Sequence, residues 1–120
     1  MMAIRGATTI ENDTPIEIKD ATVELMSALI AQNSLKPEKM VSVLFSATKD
    51  IRSAYPGKYL REVLGITDVP ILHFQEMDVQ GALELCIRVM IHYDAPVRGT
   101  SVYLRKSKSL RPDLVGSSIV

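Results

Sequence analysis

The sequence predicts an α/β (α+β) sandwich, in which a mixed sheet of about five strands packs on one long helix and one short helix. Three observations support this class. Short runs rich in β-branched residues recur along the chain, a long helical pattern follows the first run, and a short helical pattern follows the second. Two helices are too few to cover both faces of such a sheet. We therefore expect one bare face that other copies of the chain cover in a homo-oligomer.

Length and composition limit the class of function. A chain of 120 residues fits one domain, residues 1–120. The 14 Lys and Arg residues balance 14 Asp and Glu residues, which disfavours nucleic acid and favours a small anionic ligand held by a local group of cations. The single cysteine excludes an intrachain disulfide, and no His or Cys spacing predicts a metal site. No apolar stretch approaches the ~20 residues that span a bilayer, so we expect a cytoplasmic protein without a membrane partner.

The first strand is predicted over residues 3–10 and carries Arg5. This arginine is either an exposed edge residue or an anion ligand presented by a rigid strand. The long helix should begin next, because Thr14 is a good N-cap, Pro15 suits the first helical position and Glu17 stands three residues after the cap. Its apolar stripe continues to about residue 32 and is core.

A second strand is predicted over residues 40–47, where β-branched residues alternate loosely with others. The short helix should cover residues 58–64 and stop at Gly65. Lys58 and Arg61 are three residues apart and therefore share a face of this helix. The simplest interpretation of that face is a solvated basic surface, with Glu62 offsetting part of the charge.

Two charged residues lie inside otherwise apolar runs between residues 69 and 93. Glu76 follows the short run 71–74, and Arg88 lies in the run 85–92, where aliphatic residues alternate with other types. The alternation places Arg88 on the face opposite the aliphatic stripe, beside Cys86 and Met90. A guanidinium on such a surface needs an anionic partner. The partner is either Glu76, in an internal ion pair, or a ligand.

The last strand is predicted over residues 101–106, with Tyr103 on the face opposite Val102 and Leu104. Tyr103 is either core or a ligand contact. Residues from about 107 to 120 show weak periodicity and predict a mobile C-terminal tail.

Seven short segments, in order and at consistent spacing, connect the chain to a known family. They are Ile4-Arg5-Gly6-Ala7-Thr8-Thr9, Ser46-Ala47-Thr48, Pro56 with Lys58 and Arg61-Glu62, Gln75-Glu76-Met77-Asp78-Val79, Cys86-Ile87-Arg88-Val89-Met90, Val102-Tyr103-Leu104 and Leu110-Arg111-Pro112-Asp113-Leu114. Together they resemble the monofunctional chorismate mutases of the trimeric α/β class. The resemblance covers essentially the whole chain.

The resemblance implies an enzyme of phenylalanine and tyrosine biosynthesis on the shikimate pathway. Such an enzyme converts chorismate to prephenate by an intramolecular Claisen rearrangement, with no cofactor and no covalent intermediate. It also implies a homotrimer with active sites at the subunit interfaces. By resemblance, Arg88 would meet the breaking ether oxygen and a carboxylate, and Glu76 would accept a hydrogen bond from the ring hydroxyl. Arg5 and Tyr103 would hold a carboxylate.

The remaining substrate contacts implied by the resemblance come from three segments. They are Tyr55, Gly57, Lys58 and Arg61, which close the site from the neighbouring subunit; Leu72 and His73; and Leu110 and Arg111, in a tail that can fold over the pocket. The sequence departs from the family pattern at position 73, where His replaces Cys. Tyr55 replaces Phe and Gly57 replaces Ala, which are milder changes. His73 could donate to the substrate hydroxyl or simply pack.

Two other functions fit the same architecture. An imine or enamine hydrolase of the small trimeric type also binds a carboxylate through an interfacial arginine, and the fold does not separate the two activities. A non-catalytic trimer that binds carboxylates is the second alternative. The combination of Glu76 and Arg88 with Arg5 and Tyr103 favours the mutase.

Overall fold

The computed structural model describes residues 1–96 and 99–112. Its elements, in chain order, are β1 (Met2–Thr9), α1 (Pro15–Asn33), a 3-10 helix (Pro37–Lys39), β2 (Met40–Ala47), α2 (Lys58–Glu62), β3 (Ile71–Gln75), β4 (Cys86–Tyr93), β5 (Val102–Tyr103) and a second 3-10 helix (Arg105–Ser109). None of the described helices is long and apolar enough to span a membrane.

The strands form one mixed sheet in the order β3-β2-β4-β1-β5. Strand β4 lies in the middle and pairs antiparallel with β1 and β2, while β3 and β5 pair parallel with β2 and β1 at the two edges. The predicted sandwich of a five-stranded mixed sheet with one long and one short helix is therefore confirmed. Every strand except the two edge strands is held on both sides by hydrogen bonds, which makes β4 a rigid place for a functional side chain.

Helix α1 begins where the sequence predicts. The Thr14 hydroxyl accepts a hydrogen bond from the Glu17 N–H at 3.2 Å, and Pro15 occupies the first helical position. The Glu17 carboxylate accepts from the N–H groups of Glu11 and Asn12, at 3.1 and 3.0 Å, so it ties the preceding turn to the helix as well. The helix ends at Ser34, which adopts the left-handed conformation with φ 51°.

The two faces of the sheet differ as the alternation in β4 predicts. Ile87, Val89 and Ile91 are buried under the helices in the main core. Gly6, on the same face, lets α1 come close, because an added Cβ would lie 2.9 Å from the side chain of Leu29. On the opposite face no described helix covers the centre of the sheet, and large apolar side chains remain exposed there; we call it the bare face.

The predicted ends of α2 and β1 need correction. Helix α2 stops at Glu62, two residues early, because the N–H groups of Val63 and Leu64 both point to the carbonyl of Tyr59 and the chain then turns at Gly65, with φ 69°. Strand β1 is shifted by one residue, to Met2–Thr9.

The predicted last strand, residues 101–106, is wrong in extent. Only Val102–Tyr103 pair with β1, because Arg105 adopts a left-handed conformation with φ 54° and starts a 3-10 helix. This helix includes the first residues of the expected mobile tail. Ser107 is buried and donates from its hydroxyl to the carbonyl of Ala7 at 2.8 Å, so the chain is packed on β1 here. Residues 113–120 of the expected tail lie outside the described residues.

Candidate active site

Arg88 lies at the centre of the bare face. Strand register places Ala7 of β1 on one side of it and Ser46 of β2 on the other, and Tyr103 of β5 follows Ala7 in the same row. Because side chains alternate along a strand, Arg5 shares this face and stands beside Met90. We call Arg5, Glu76, Arg88 and Tyr103 the bare-face cluster. The structure thus places on one face the four residues that the resemblance implies for one site, with Tyr103 buried among them.

The pair formed by Glu76 and Arg88 organises the cluster. The Arg88 Nε atom is 2.9 Å from Glu76 Oε2, and the Ser46 hydroxyl donates to the same oxygen at 2.8 Å. The Glu76 N–H donates to the carbonyl of Ala47 at 2.8 Å, which fixes the carboxylate at the end of β3. Arg88 Nε is buried, and its N–H has no hydrogen bond of acceptable geometry among the described residues, so the contact with Glu76 is an ion pair.

Both residues of the ion pair remain partly exposed to solvent. The side chain of Arg88 is 44% exposed and that of Glu76 is 28% exposed. If Arg88 served only to neutralise Glu76, both side chains would be expected to be buried together. An ion pair that is exposed to solvent contributes little to stability. Arg88 is therefore rigidly held on one side and open to a ligand on the other. Sequence reasoning missed Ser46 as the second partner of Glu76.

Cys86 lies beside Arg88 on β4 and is not a candidate nucleophile. Burial raises the pKa of the Cys86 thiol, and the nearby charge of Arg88 offsets this only in part. The thiol is therefore protonated near neutral pH. Within the described residues, no three His, Cys, Asp or Glu side chains come together in a group that could hold a metal ion.

A second group of predicted site residues lies on the other side of the sheet. A cleft of about 630 Å³ opens at the β3 edge, and its lining includes Tyr55, Lys58 and His73; we call it the edge cleft. His73 pairs in register with Phe45 on the helix-covered face, and their rings stack with centroids 5.5 Å apart. Gly57 donates its N–H to His73 Nε2 at 2.9 Å. His73 and the bare-face cluster therefore do not meet within one chain.

The remaining predicted residues are distributed around these two sites. Lys58 is half exposed, with Nζ 3.8 Å from Glu62, and Arg61 is close enough to His73 to affect its titration. Leu72 lies next to His73 in β3 but on the bare face, where it is 60% exposed. Leu110 lines a separate cleft of about 600 Å³ beside residues 81–85. Arg111 is half-buried near the end of the described chain.

Asp13 anchors the loop that leads into the edge cleft, and sequence reasoning missed it. Its carboxylate accepts hydrogen bonds from the N–H groups of Arg52 and Ser53, at 3.0 and 3.1 Å, and from the Ser53 hydroxyl at 2.7 Å. Burial opposes ionisation, but these hydrogen bonds together outweigh it and lower the pKa of Asp13. The long sequence separation between Asp13 and Ser53 left no local signal for this contact.

Acid should destabilise the protein through His73. Burial of the ring, and then the nearby charge of Arg61, lower the pKa of His73 from its ordinary value of 6.5. Because the unfolded chain then takes up this proton at a higher pH than the folded chain, the stability from neutral His73 is present above 6.5 and is lost as the pH falls through the folded-state pKa. Unfolding measured at about pH 7.5 and about pH 5, at fixed protein concentration, should show a smaller loss for His73→Gln than for the wild type. Equal losses in the two proteins would contradict this prediction.

The fold and the two sites define a class of protein. A central arginine, held rigidly and left open on a bare sheet face with a second arginine nearby, suits a small ligand that carries carboxylates. The site supplies charge and position, and the thiol in it is protonated. This is the class of small α/β proteins that bind an anionic ligand.

Comparison with known proteins gives the family. The sequence profile of the chorismate mutase type I family matches residues 1–114. The chorismate mutase AroH of Bacillus subtilis (strain 168) is 46% identical over 114 residues, covering 92% of this chain and 90% of that relative. The AroH of Thermus thermophilus is 41% identical over 115 residues, covering 92% and 93%. A solved chorismate mutase from Clostridium thermocellum superposes with a TM-score of 0.86 at 36% identity, over 89% of this chain and 97% of that one. The chain belongs to the chorismate mutase type I family.

Proposed function

We propose that the chain is a chorismate mutase, an isomerase of aromatic amino acid biosynthesis that converts chorismate to prephenate. The observation that carries this function is the half-exposed Arg88, which Glu76 holds at the centre of the bare face of a family member. Purified protein should deplete chorismate, followed by ultraviolet absorbance. An imine or enamine hydrolase, or a non-catalytic carboxylate-binding trimer, would leave chorismate unchanged.

The reaction is a rearrangement within one molecule, in which an ether C–O bond breaks while a C–C bond forms. No proton or electron has to leave the substrate, so the protein's task is to fix the reactive conformer and to stabilise charge. Chorismate carries two carboxylates. We assign one of them to Arg5 and Tyr103, which lie on the same face as Arg88; Tyr103 is buried in the single chain, so this contact would come through its hydroxyl edge.

Arg88 has the central role in the proposed mechanism. Negative charge grows on the ether oxygen as the C–O bond breaks, and a guanidinium that is already in place stabilises it without reorganisation. The contacts from Glu76 keep that guanidinium oriented before substrate arrives. Among residues 1–96 and 99–112, Glu76 Oε1 accepts one long hydrogen bond, at 3.3 Å from the Met77 N–H, so this oxygen suits the substrate hydroxyl as an acceptor.

We further propose that the protein is a homotrimer and that each active site joins the bare-face cluster of one subunit to the edge cleft of the next. Two observations support this arrangement. The sheet separates the two groups within one chain, so a single small substrate cannot contact both. Leu72 and Phe74 leave 60% and 53% of their surface exposed on the bare face, which favours a covering subunit. The cytoplasmic location stays a prediction.

Mixed assemblies should reveal shared sites. Arg88→Ala damages the bare-face cluster, and Arg61→Ala removes a charge beside the edge cleft that the resemblance implies for the same site, so each variant alone should lose most activity. If the two are unfolded together and refolded in equal amounts, about a quarter of the sites draw both intact residues from different chains, and activity should recover to about that fraction of the wild type. The same variants refolded separately and then combined serve as the control. Mixed trimers, shown by differential tagging, that stay inactive would count against shared sites.

A further inference from the structure

The His73 ring and the backbone at Gly57 fit each other closely. Gly57 is the N-cap of α2, and the N–H groups at the start of a helix have no partner within the helix. The Gly57 N–H donates instead to His73 Nε2 at 2.9 Å. A Cβ added to Gly57 would lie 2.8 Å from both Cε1 and Nε2 of His73 and 2.7 Å from Ile71 Cγ2. Only a residue without a side chain permits this hydrogen bond. The backbone itself, with φ −64°, would accept any residue, so space is the reason for glycine here.

The ring is held on both sides. Phe45, which is 1% exposed, stacks on one face at 5.5 Å and with a tilt of 14°. Tyr55, from the segment that Gly57 belongs to, contacts the ring at 5.1 Å and 56°. The ring thus joins β3 and the buried core to residues 55–58.

The His73 contact ties the segment 55–58 to strand β3. Its backbone hydrogen bonds in the turn are local, from Lys58 to Tyr55, from Tyr59 to Pro56 and from Leu60 to Gly57. A short helix with one turn has little stability of its own, so its place relative to the sheet must come from outside contacts. Tyr59 and Leu60 anchor the helix itself in the core, and the Tyr59 hydroxyl donates to the carbonyl of Pro15 at 3.3 Å. Asp13 fixes the loop before the helix, and His73 ties the segment 55–58 to β3.

We propose that His73 is a positioning residue for the substrate, which caps α2 from the neighbouring strand and thereby sets where Tyr55 and Lys58 stand in the edge cleft. The proposal rests on the proposed function, because its effect is exerted on substrate affinity. The imidazole acts as a hydrogen-bond acceptor at Nε2, so the neutral form with a proton on Nδ1 is the working form. No proton is transferred to the substrate.

The proposal separates substrate affinity from turnover. Arg88 and Glu76 lie on the other face of the sheet and do not depend on the cap, so the barrier of the bound substrate should change little when the cap is lost. Displacement of Tyr55 and Lys58 should weaken substrate binding. A merely structural histidine would instead lower the folded fraction and leave KM unchanged.

Two substitutions at position 73 test the cap. His73→Leu keeps a similar apolar volume but removes the acceptor, and we expect KM to rise roughly 10-fold with kcat within about twofold, because an unsatisfied buried donor costs about that factor. His73→Gln retains an acceptor oxygen where Nε2 stood and should restore most of the affinity. Amide hydrogen exchange at Gly57, measured without substrate, should be faster in His73→Leu than in the wild type and near wild type in His73→Gln.

Size complementation provides the matched test. Gly57→Ala should raise KM in the wild-type background, because the new methyl group displaces the ring. In a His73→Ala background the clash with the ring is gone and only the clash with Ile71 Cγ2 remains, so Gly57→Ala should raise KM by a smaller factor than in the wild type. This test needs no assumption about the stability of the leucine variant.

Failure of the inference is distinct from failure of the proposed function. A wild-type protein that does not deplete chorismate would refute the function, while the exchange measurement would still report on the cap. Normal KM in His73→Leu, unchanged protection of the Gly57 amide, or fully multiplicative effects of Gly57→Ala and His73→Ala would each overturn the positioning role.

Discussion

Citrulline in place of Arg88, introduced by semisynthesis, is expected to reduce turnover by ~10²- to 10³-fold, about 3 to 4 kcal/mol, while substrate affinity falls much less. Citrulline keeps the planar shape and most of the hydrogen-bonding groups of arginine but has no charge. Because the charge on the ether oxygen develops only in the transition state, losing the cation penalises the rearrangement more than it penalises binding. Single-turnover kinetics with saturating chorismate would measure the chemical step directly.

Further substitutions at position 88 define what the guanidinium contributes. Arg88→Ala removes charge and shape together and should lose at least as much turnover. Arg88→Lys should recover only part of it, since an ammonium on a flexible stem cannot reproduce a planar donor held by Glu76. Arg105→Ala is the control, because Arg105 forms a comparably exposed ion pair with Glu24 of α1. It also removes a hydrogen bond to the carbonyl of Thr9, so it tests a loss of stability at least as large without touching the bare-face cluster. A folded Arg88→Ala trimer with normal turnover would show that the pair only stabilises the sheet.

Much of the fold is predictable because its signals are local. The start of α1 is set by Thr14 and Pro15, which lie next to each other in sequence and suit the N-cap and the first position of a helix. The extent of β2, Met40–Ala47, matches the predicted run of residues. The end of the last strand was not predictable, because Arg105 adopts a left-handed conformation that its residue type does not favour.

The candidate site was predictable in part. Arg88 and Glu76 stand out because charged residues are rare inside apolar strand runs, and alternation gives the face of Arg88. The partnership of Glu76 with Ser46 depends on the register between β2 and the neighbouring strands, which no local pattern encodes. The face of His73 was hidden as well, since β3 carries apolar residues on both faces and therefore shows no alternation.

Leu72→Glu should prevent assembly and abolish most activity. Leu72 is 60% exposed on the bare face, beside Leu44 and in line with Met90, so a covering subunit would bury it among apolar side chains. An unpaired carboxylate buried there costs several kcal/mol in each subunit, and the cost is paid at every interface of a symmetric trimer. Sedimentation or light scattering without substrate should show monomers, and turnover should fall at least ~10²-fold because each site loses one of its two halves.

Ile16→Glu supplies the control for this substitution. Ile16 is 71% exposed in the first turn of α1, on the helix layer, and a carboxylate at a helix N-terminus is well tolerated. The control should keep the oligomeric state and the activity of the wild type. The resemblance also implies a substrate contact for Leu72, but loss of such a contact would leave the oligomeric state unchanged. A Leu72→Glu protein that assembles like the wild type would therefore show that the bare face is not the subunit interface, and the shared site would have to be abandoned with it.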